Sequence, residues 1–378
     1  MTGKERMLAA TKGQPVDRVP IWIREGFDFH HPTPAADDFS LGWRSDPDYV
    51  SFLDFAREHC DMRVSWSPAG YFNRTMAIPP DRINTEIEVV NENIKRVIST
   101  IDTPKGPLVA VSERRRGENM GWQVKYPVEN LEDLGKLRSV PFEAAPVSYE
   151  EYDRENALLG DGGVMCLNVS SPWVVLATCM PFELALEWSV SRASFLHELL
   201  EEIMSRILAC LEVVFQRSFE DMIANIGGAE QCTPPIMAPD AYDKWVTPYE
   251  TQIAAFLKSK GVPLNCHCHS HVARALSSMV KAGMSSTDPV EPPPQGDVTI
   301  EAARKTVGDR LTLVGNIEWQ ELVEASPDKI RQRVREIIDS GKQRLIISSS
   351  AGTQSLMPPE LIANYRAWIE EALEYGVA

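Results

Sequence analysis

The chain has 378 residues, 43 per cent of them apolar, and its 54 acidic and 38 basic side chains leave a net charge of −16. That length can bury a large core, whereas the negative balance opposes non-specific nucleic-acid binding, which a run as short as Arg114-Arg115-Arg116 does not reverse. No apolar run reaches the roughly 18 residues of a membrane span, and seven cysteines, odd in number and sparse, read as reduced thiols. The expectation is a soluble cytoplasmic protein with no nucleic-acid or membrane partner.

A short helical start leads to Arg18-Val19-Pro20-Ile21-Trp22-Ile23, which reads as a buried strand delivering Arg24 and the polar loop behind it. Alternating stretches at Glu88-Val89-Val90, Lys95-Arg96-Val97-Ile98 and Leu108-Val109-Ala110-Val111, with a turn at Thr103-Pro104-Lys105-Gly106, predict a small antiparallel insertion over about residues 86–126. From Gly163 the rhythm becomes strand then helix. Apolar strands at Val164–Val169, Asp221–Ile226, Val262–His267, Leu311–Asn316 and Arg344–Ser348 are followed by helical patterns over Ser194–Gln216, Pro239–Ser259, Val272–Ala282, Pro327–Ser340 and Pro359–Tyr375. Near-continuous apolar strands alternating with helices indicate a parallel sheet covered by helices. At this length a single closed (β/α)8 TIM barrel over residues 1–378 is expected, with a doubly wound sheet as the alternative. In a barrel, the polar residues that end the strands converge on one face: Arg24, Asn168, Glu230, His267, His269, Asn316 and Ser348 to Ser350.

The densest chemical signal is Cys266-His267-Cys268-His269-Ser270-His271. Side chains on a strand alternate, so His267, His269 and His271 fall on one face while Cys266 and Cys268 turn toward the helices as small buried thiols. Histidines two apart can reach one cation, and the missing ligand is expected from a neighbouring strand end, Glu230 first and Glu291 second. Two histidines with one or two carboxylates suit Zn2+, and also Fe2+ or Mn2+. Without a metal, the same run is a set of polar loop histidines. Arg24 could clamp a substrate carboxylate with its planar fork or sit in a structural ion pair. Trp22, Phe27, Trp66, Trp122 and Trp173 are candidate pocket walls, although large aromatics more often serve as core residues. The sequence has no Gly-x-Gly-x-x-Gly, Walker loop, Gly-x-Ser-x-Gly or Cys-x-x-Cys, which disfavours dinucleotide binding, P-loop phosphoryl transfer and the usual serine-hydrolase architecture.

Taken in order, Arg18–Arg24, Pro127–Leu134, Glu291–Asp297, Leu313–Ile317 and Asn364–Glu370 with Tyr375-Gly376 give the chain a resemblance to the uroporphyrinogen decarboxylase superfamily over nearly its whole length. That superfamily also holds zinc-dependent methyltransferases acting on corrinoid or thiol carriers. Their zinc is held by His-x-Cys and a distant Cys; here His267 matches the His, His269 stands at the Cys position and Ala351 falls at or near the distant one, leaving a harder N/O site. The decarboxylases carry a second arginine soon after the first, where this chain has Glu25-Gly26-Phe27.

The resemblance implies a metal-dependent methyltransferase or demethylase passing a methyl group between a small methylated substrate and a corrinoid protein, with a homodimer as the family's tendency. In that reading His267, His269 and Glu230 hold a divalent metal, most simply Zn2+. Glu291 and Arg24 are catalytic, and Arg24, Phe27, Trp122, Asn168 and Asn316 contact substrate. The alternative is a decarboxylase or lyase on a small carboxylated substrate. A third reading is a ligand-binding barrel without catalysis.

Overall fold

The computed structural model describes residues 1–24, 46–68, 80–116, 118, 121–144, 146–353 and 357–377. Among these described residues eleven strands form two sheets: β1 (Met62–Trp66), β2 (Ile83–Asn91), β3 (Ile94–Ile101), β4 (Leu108–Arg115), β5 (Gly121–Lys125), β6 (Gly163–Ser170), β7 (Met222–Gly227), β8 (Leu264–His267), β9 (Ser286–Asp288), β10 (Thr312–Val314) and β11 (Leu345–Ile346). Seven of them, in the order β1-β6-β7-β8-β9-β10-β11, make a wholly parallel sheet, and β2-β3-β4-β5 make an antiparallel meander. The meander is the insertion expected from the alternating stretches. Its strand β2 is almost entirely exposed.

The parallel sheet curls into a TIM-barrel-like form. Around Ile21 the chain touches both of its edges: Trp22 N–H donates to Ile347 O at 3.0 Å, Ile347 N–H to Pro20 O at 2.9 Å, and Asp61 N–H, just before β1, to Ile21 O at 2.7 Å. The expected opening strand over Arg18–Ile23 is thereby corrected to two isolated bridges, Arg18 with Val377 antiparallel and Ile21 with Ile347 parallel. Pro20 has no N–H to donate to a ladder, so pairing cannot propagate through it. What fixes this segment instead is charge: buried Asp61 accepts from Arg6, from Arg18 and from the Ile21 N–H.

Two apolar layers result from strand alternation. The larger packs the outer face of the sheet against the helices. The smaller fills the interior of the curl with Val164, Cys166, Ile223, Val314, Ile346 and Trp22, and Met7 and Ala10 of the helix Gly3–Lys12 plug it from the N-terminal ends of the strands. That helix is held in place by a capping box, Thr2 with Glu5, and ends at Gly13 with φ of 71°. Removing a buried side chain from this plug, as in Met7→Ala, is expected to cost about 2–5 kcal/mol. Trp22 therefore closes the interior core and forms the floor of whatever lies above it.

Among the covering helices, Pro359–Tyr375 has the bounds expected from its proline start, and Pro327–Asp339 stops one residue early. The pattern over Pro239–Ser259 divides into Ala241–Trp245 and Thr247–Ser259, because Val246 leaves helical geometry at φ −120°. In the last helix, Asn364 donates to Leu322 O and Ala325 O, and Tyr365 and Trp368 are fully buried, so this late motif serves packing.

Candidate functional site

Alternation decides which strand residues enter the curl above Trp22. Arg63 and Ser65 of β1, Asn225 of β7, His267 of β8 and Asp288 of β9 line, together with Trp22 and Arg24, a cavity of about 190 Å3. The register explains the convergence, since Asn168 pairs with Asn225, Asn225 with Asn265, and His267 with Asp288 on adjacent strands.

Asp288 is the hub. Its side chain is fully buried, Arg24 Nη2 lies 2.7 Å from Oδ2, His267 Nδ1 3.4 Å and Arg63 Nη1 4.0 Å, while Asn265 donates to Oδ1. Burial works to raise this carboxyl, but Arg24, His267 and Arg63 outweigh it and hold it well below the usual carboxylate range. Among the described lining residues two guanidiniums face one carboxylate, and Arg24 also acts on the nearby carboxylate of Glu291. Both guanidiniums also lie 4.7 Å from the Trp22 ring centroid, and Arg24 Nε donates to Ser349 O at 2.8 Å. The result is an arginine pair locked in orientation, with N–H groups left for an anion.

The second carboxylate–histidine pair sits beside the first. His269 Nδ1 is 2.9 Å from Glu291 Oε1, the Ser270 N–H donates to Glu291 Oε2 at 2.5 Å, and the two imidazole centroids are 4.7 Å apart. Burial raises the Glu291 carboxyl, but these hydrogen bonds and the nearby charges prevail and depress it. Each imidazole thus has Nδ1 turned to a carboxylate and Nε2 on the side away from it. Glu318, after β10, is pushed upward by its burial and by the charge of Glu291.

The other expected residues separate. Cys266 and Cys268 are buried, and Cys266 Sγ meets Tyr242 of the covering helix, as alternation requires. The strand ends at His267, and Ser270 turns the chain with φ of 75°, so alternation no longer carries His271 alongside. Glu230 leaves β7 through Gly228 at φ 94° into a 3-10 turn, where its charge acts on the buried thiols of Cys232, Cys266 and Cys268 and Oε2 has no hydrogen-bond partner. Among the described residues no three His, Cys, Asp or Glu side chains gather as a metal cage, so His267, His269 and Glu230 do not form the expected triad. Asn316 is corrected to a scaffold role: its amide donates to Val290 O and accepts from Arg333, both at 2.8 Å. Trp122 is corrected to a surface residue of β5, half exposed, its indole N–H on Glu118, because the meander faces solvent there. Asn168, on β6 between the cavity-lining strands β1 and β7, donates to Ser67 and is not among the residues that line the cavity. Phe27 lies outside the described residues. Trp66 and Trp173 belong to the outer core, and among the described aromatic candidates only Trp22 lines the cavity. Asp288, Arg63 and Asn225 were missed, although an Arg and a Ser two apart in Met62-Arg63-Val64-Ser65-Trp66 are the alternation of a strand with one polar face.

Comparison with known proteins places the geometry in a family. The family model described as uroporphyrinogen decarboxylase (URO-D) matches residues 115–374, and the chain belongs to that family. It is 24% identical to the uroporphyrinogen decarboxylase of Christiangramia forsetii, covering 99% of both chains, and 23% identical to that of Geotalea uraniireducens, covering 94% of this chain and 95% of the relative. Among solved structures it resembles a methyltransferase from Methanosarcina mazei with a TM-score of 0.64 at 17% identity, covering 99% of each chain, which is a likeness of fold.

Proposed function

We propose that this chain is a methyl-transfer enzyme of the methyltransferase-like branch of the family, acting on a small methylated substrate that bears an acidic group. The observation that carries the reading is the pair of adjacent imidazoles, each backed by a carboxylate, next to the arginine pair Arg24 and Arg63. Arg24 and Arg63 bind and orient the acidic group. His267 and His269 stand beside the position of the methylated heteroatom as the seats for a cation, and Trp22 closes the site below. In this reading the segment around Ile21 acts as the eighth stave of the barrel.

The two imidazoles suit two positions around a divalent cation, Zn2+ first and Fe2+ or Mn2+ after it, because carboxylate-backed histidine is the usual support of a metal ligand. The described residues supply no third protein ligand, and substrate or water would complete the shell. Such a cation would supply Lewis-acid polarisation of the methylated heteroatom. A corrinoid protein is the methyl carrier the reading calls for.

A second reading, a carboxy-lyase, is favoured by the same arginine pair, which would hold a carboxylate while His267, oriented by Asp288, protonates the product carbon. Incubating the enzyme with a panel of small N-, O- and S-methylated acids and free cob(I)alamin separates the two. Formation of methylcobalamin supports methyl transfer, and release of CO2 without it supports the lyase.

A further inference from the structure

A second concavity, of about 340 Å3, opens at the opposite ends of the same strands. Gly261 to Leu264 lead into β8, Gly283 to Ser285 into β9, Arg310 precedes β10 and Arg344 precedes β11, so the pocket lies below the sheet while His267 and Asp288 end β8 and β9 above it. Lys12, Lys258, Arg310 and Arg344 line it, and among the described residues no acidic one does. In a chain with 54 acidic and 38 basic residues, four cations without one carboxylate in a single concavity is an inversion of the average surface.

These charges are not structural pairs. Among the described residues none of the four enters a salt bridge; Arg310 donates Nε and Nη2 to the carbonyls of Val307 and Thr306, which leaves Nη1. Arg344 is built into place. It holds φ of 52°, which a side chain-bearing residue adopts only when its surroundings dictate it, and its carbonyl is fixed by Leu313 N–H and Arg304. Its guanidinium occupies the space a side chain at Gly13 would need, since a Cβ there would lie 1.9 Å from Arg344 Cζ. Between the cations, Ala254, Val262, Pro263, Leu264 and Met284 provide apolar wall.

We propose that this pocket binds an organic phosphate, with the dianionic phosphoryl group among Lys12, Lys258 and Arg344 and the organic body against the apolar wall. A phosphomonoester matches a concavity lined by four cations better than a single carboxylate does, because it carries about two charges and three strong acceptor oxygens. The volume lies within the range of roughly 300–1,000 Å3 typical of small-molecule sites. The site is separate from the cavity of Arg24 and independent of the reaction proposed there.

Isothermal titration of the full chain with adenosine 5′-monophosphate and with inorganic phosphate tests it. The nucleotide binds one per chain and more tightly than phosphate, and affinity falls as salt rises. Lys12→Gln combined with Lys258→Gln, both exposed and without ion-pair partners, leaves the melting temperature unchanged and weakens binding about tenfold or more, the loss expected for charge-assisted hydrogen bonds. Lys258→Arg retains binding, and His267→Ala does not alter it. The proposal is overturned by absence of binding with both probes, by inorganic phosphate binding as tightly as the nucleotide, or by binding that survives the double lysine change and fails in His267→Ala.

Discussion

Replacing Asp288 by Asn removes the one negative charge that Arg24, Arg63 and His267 share, while preserving volume and the contact with Asn265. Removing one partner of a buried ion pair costs about 3–5 kcal/mol, and the low end applies because Arg24 borders a cavity. With an unfolding entropy of about 2.1 cal/mol/K per residue, 378 residues give about 0.8 kcal/mol/K, so a loss of about 3 kcal/mol lowers the melting temperature by about 4 °C. The pH dependence has a definite sign. Asp288 titrates lower in the folded chain than in the unfolded one, so its stabilisation is complete above the unfolded value of about 3.9 and is lost as pH falls through the folded value. Differential scanning calorimetry at neutral pH and below about pH 4 reads both effects. The variant should melt lower at neutral pH and show a shallower acid decline than the parent. An unchanged melting temperature at neutral pH, or identical acid profiles, would refute the role assigned to Asp288.

Arg24→Lys keeps the charge and loses the fork held by Ser349 O and Asp288, so substrate KM should rise by about tenfold or more with little change in melting temperature; the reverse pattern would make Arg24 scaffold. Glu250 is raised by burial to about 7, against hydrogen bonds that lower it, so the folded chain loses stability as pH rises from the unfolded value through about 7. Glu250→Gln should therefore melt higher than the parent in mildly alkaline buffer, with the gap closing in acid; a pH-independent difference would contradict this. Trp122→Ala, on the exposed meander, should alter stability by no more than about 0.5 kcal/mol and leave turnover intact, as urea denaturation and an activity assay would show.

Periodicity made the helices and the parallel βα rhythm readable, as the bounds of Pro359–Tyr375 show. The histidine pair was readable because strand parity separates His267 from Cys266. Short strands were harder: β10 and β11 have three and two residues, too few for a period, and pairing around Ile21 is cut by Pro20. The hub Asp288 was hidden because nothing local distinguishes it from Glu291, three residues on; only the β8–β9 register sets it opposite His267. Glu230 was misplaced because the turn at Gly228 redirects the chain, and a left-handed glycine signals a turn without giving its direction.

The central claim, that His267 and His269 form the seat of a methyl-transfer site holding a divalent cation, is tested most directly by elemental analysis of the native protein and its His267→Ala and His269→Ala variants. The account expects about one divalent cation per native chain and, in each variant, a loss well beyond the roughly 10–100-fold fall in affinity caused by removing an outer-shell partner. Native protein without a bound cation after purification in its presence, or full occupancy in both variants, would contradict it.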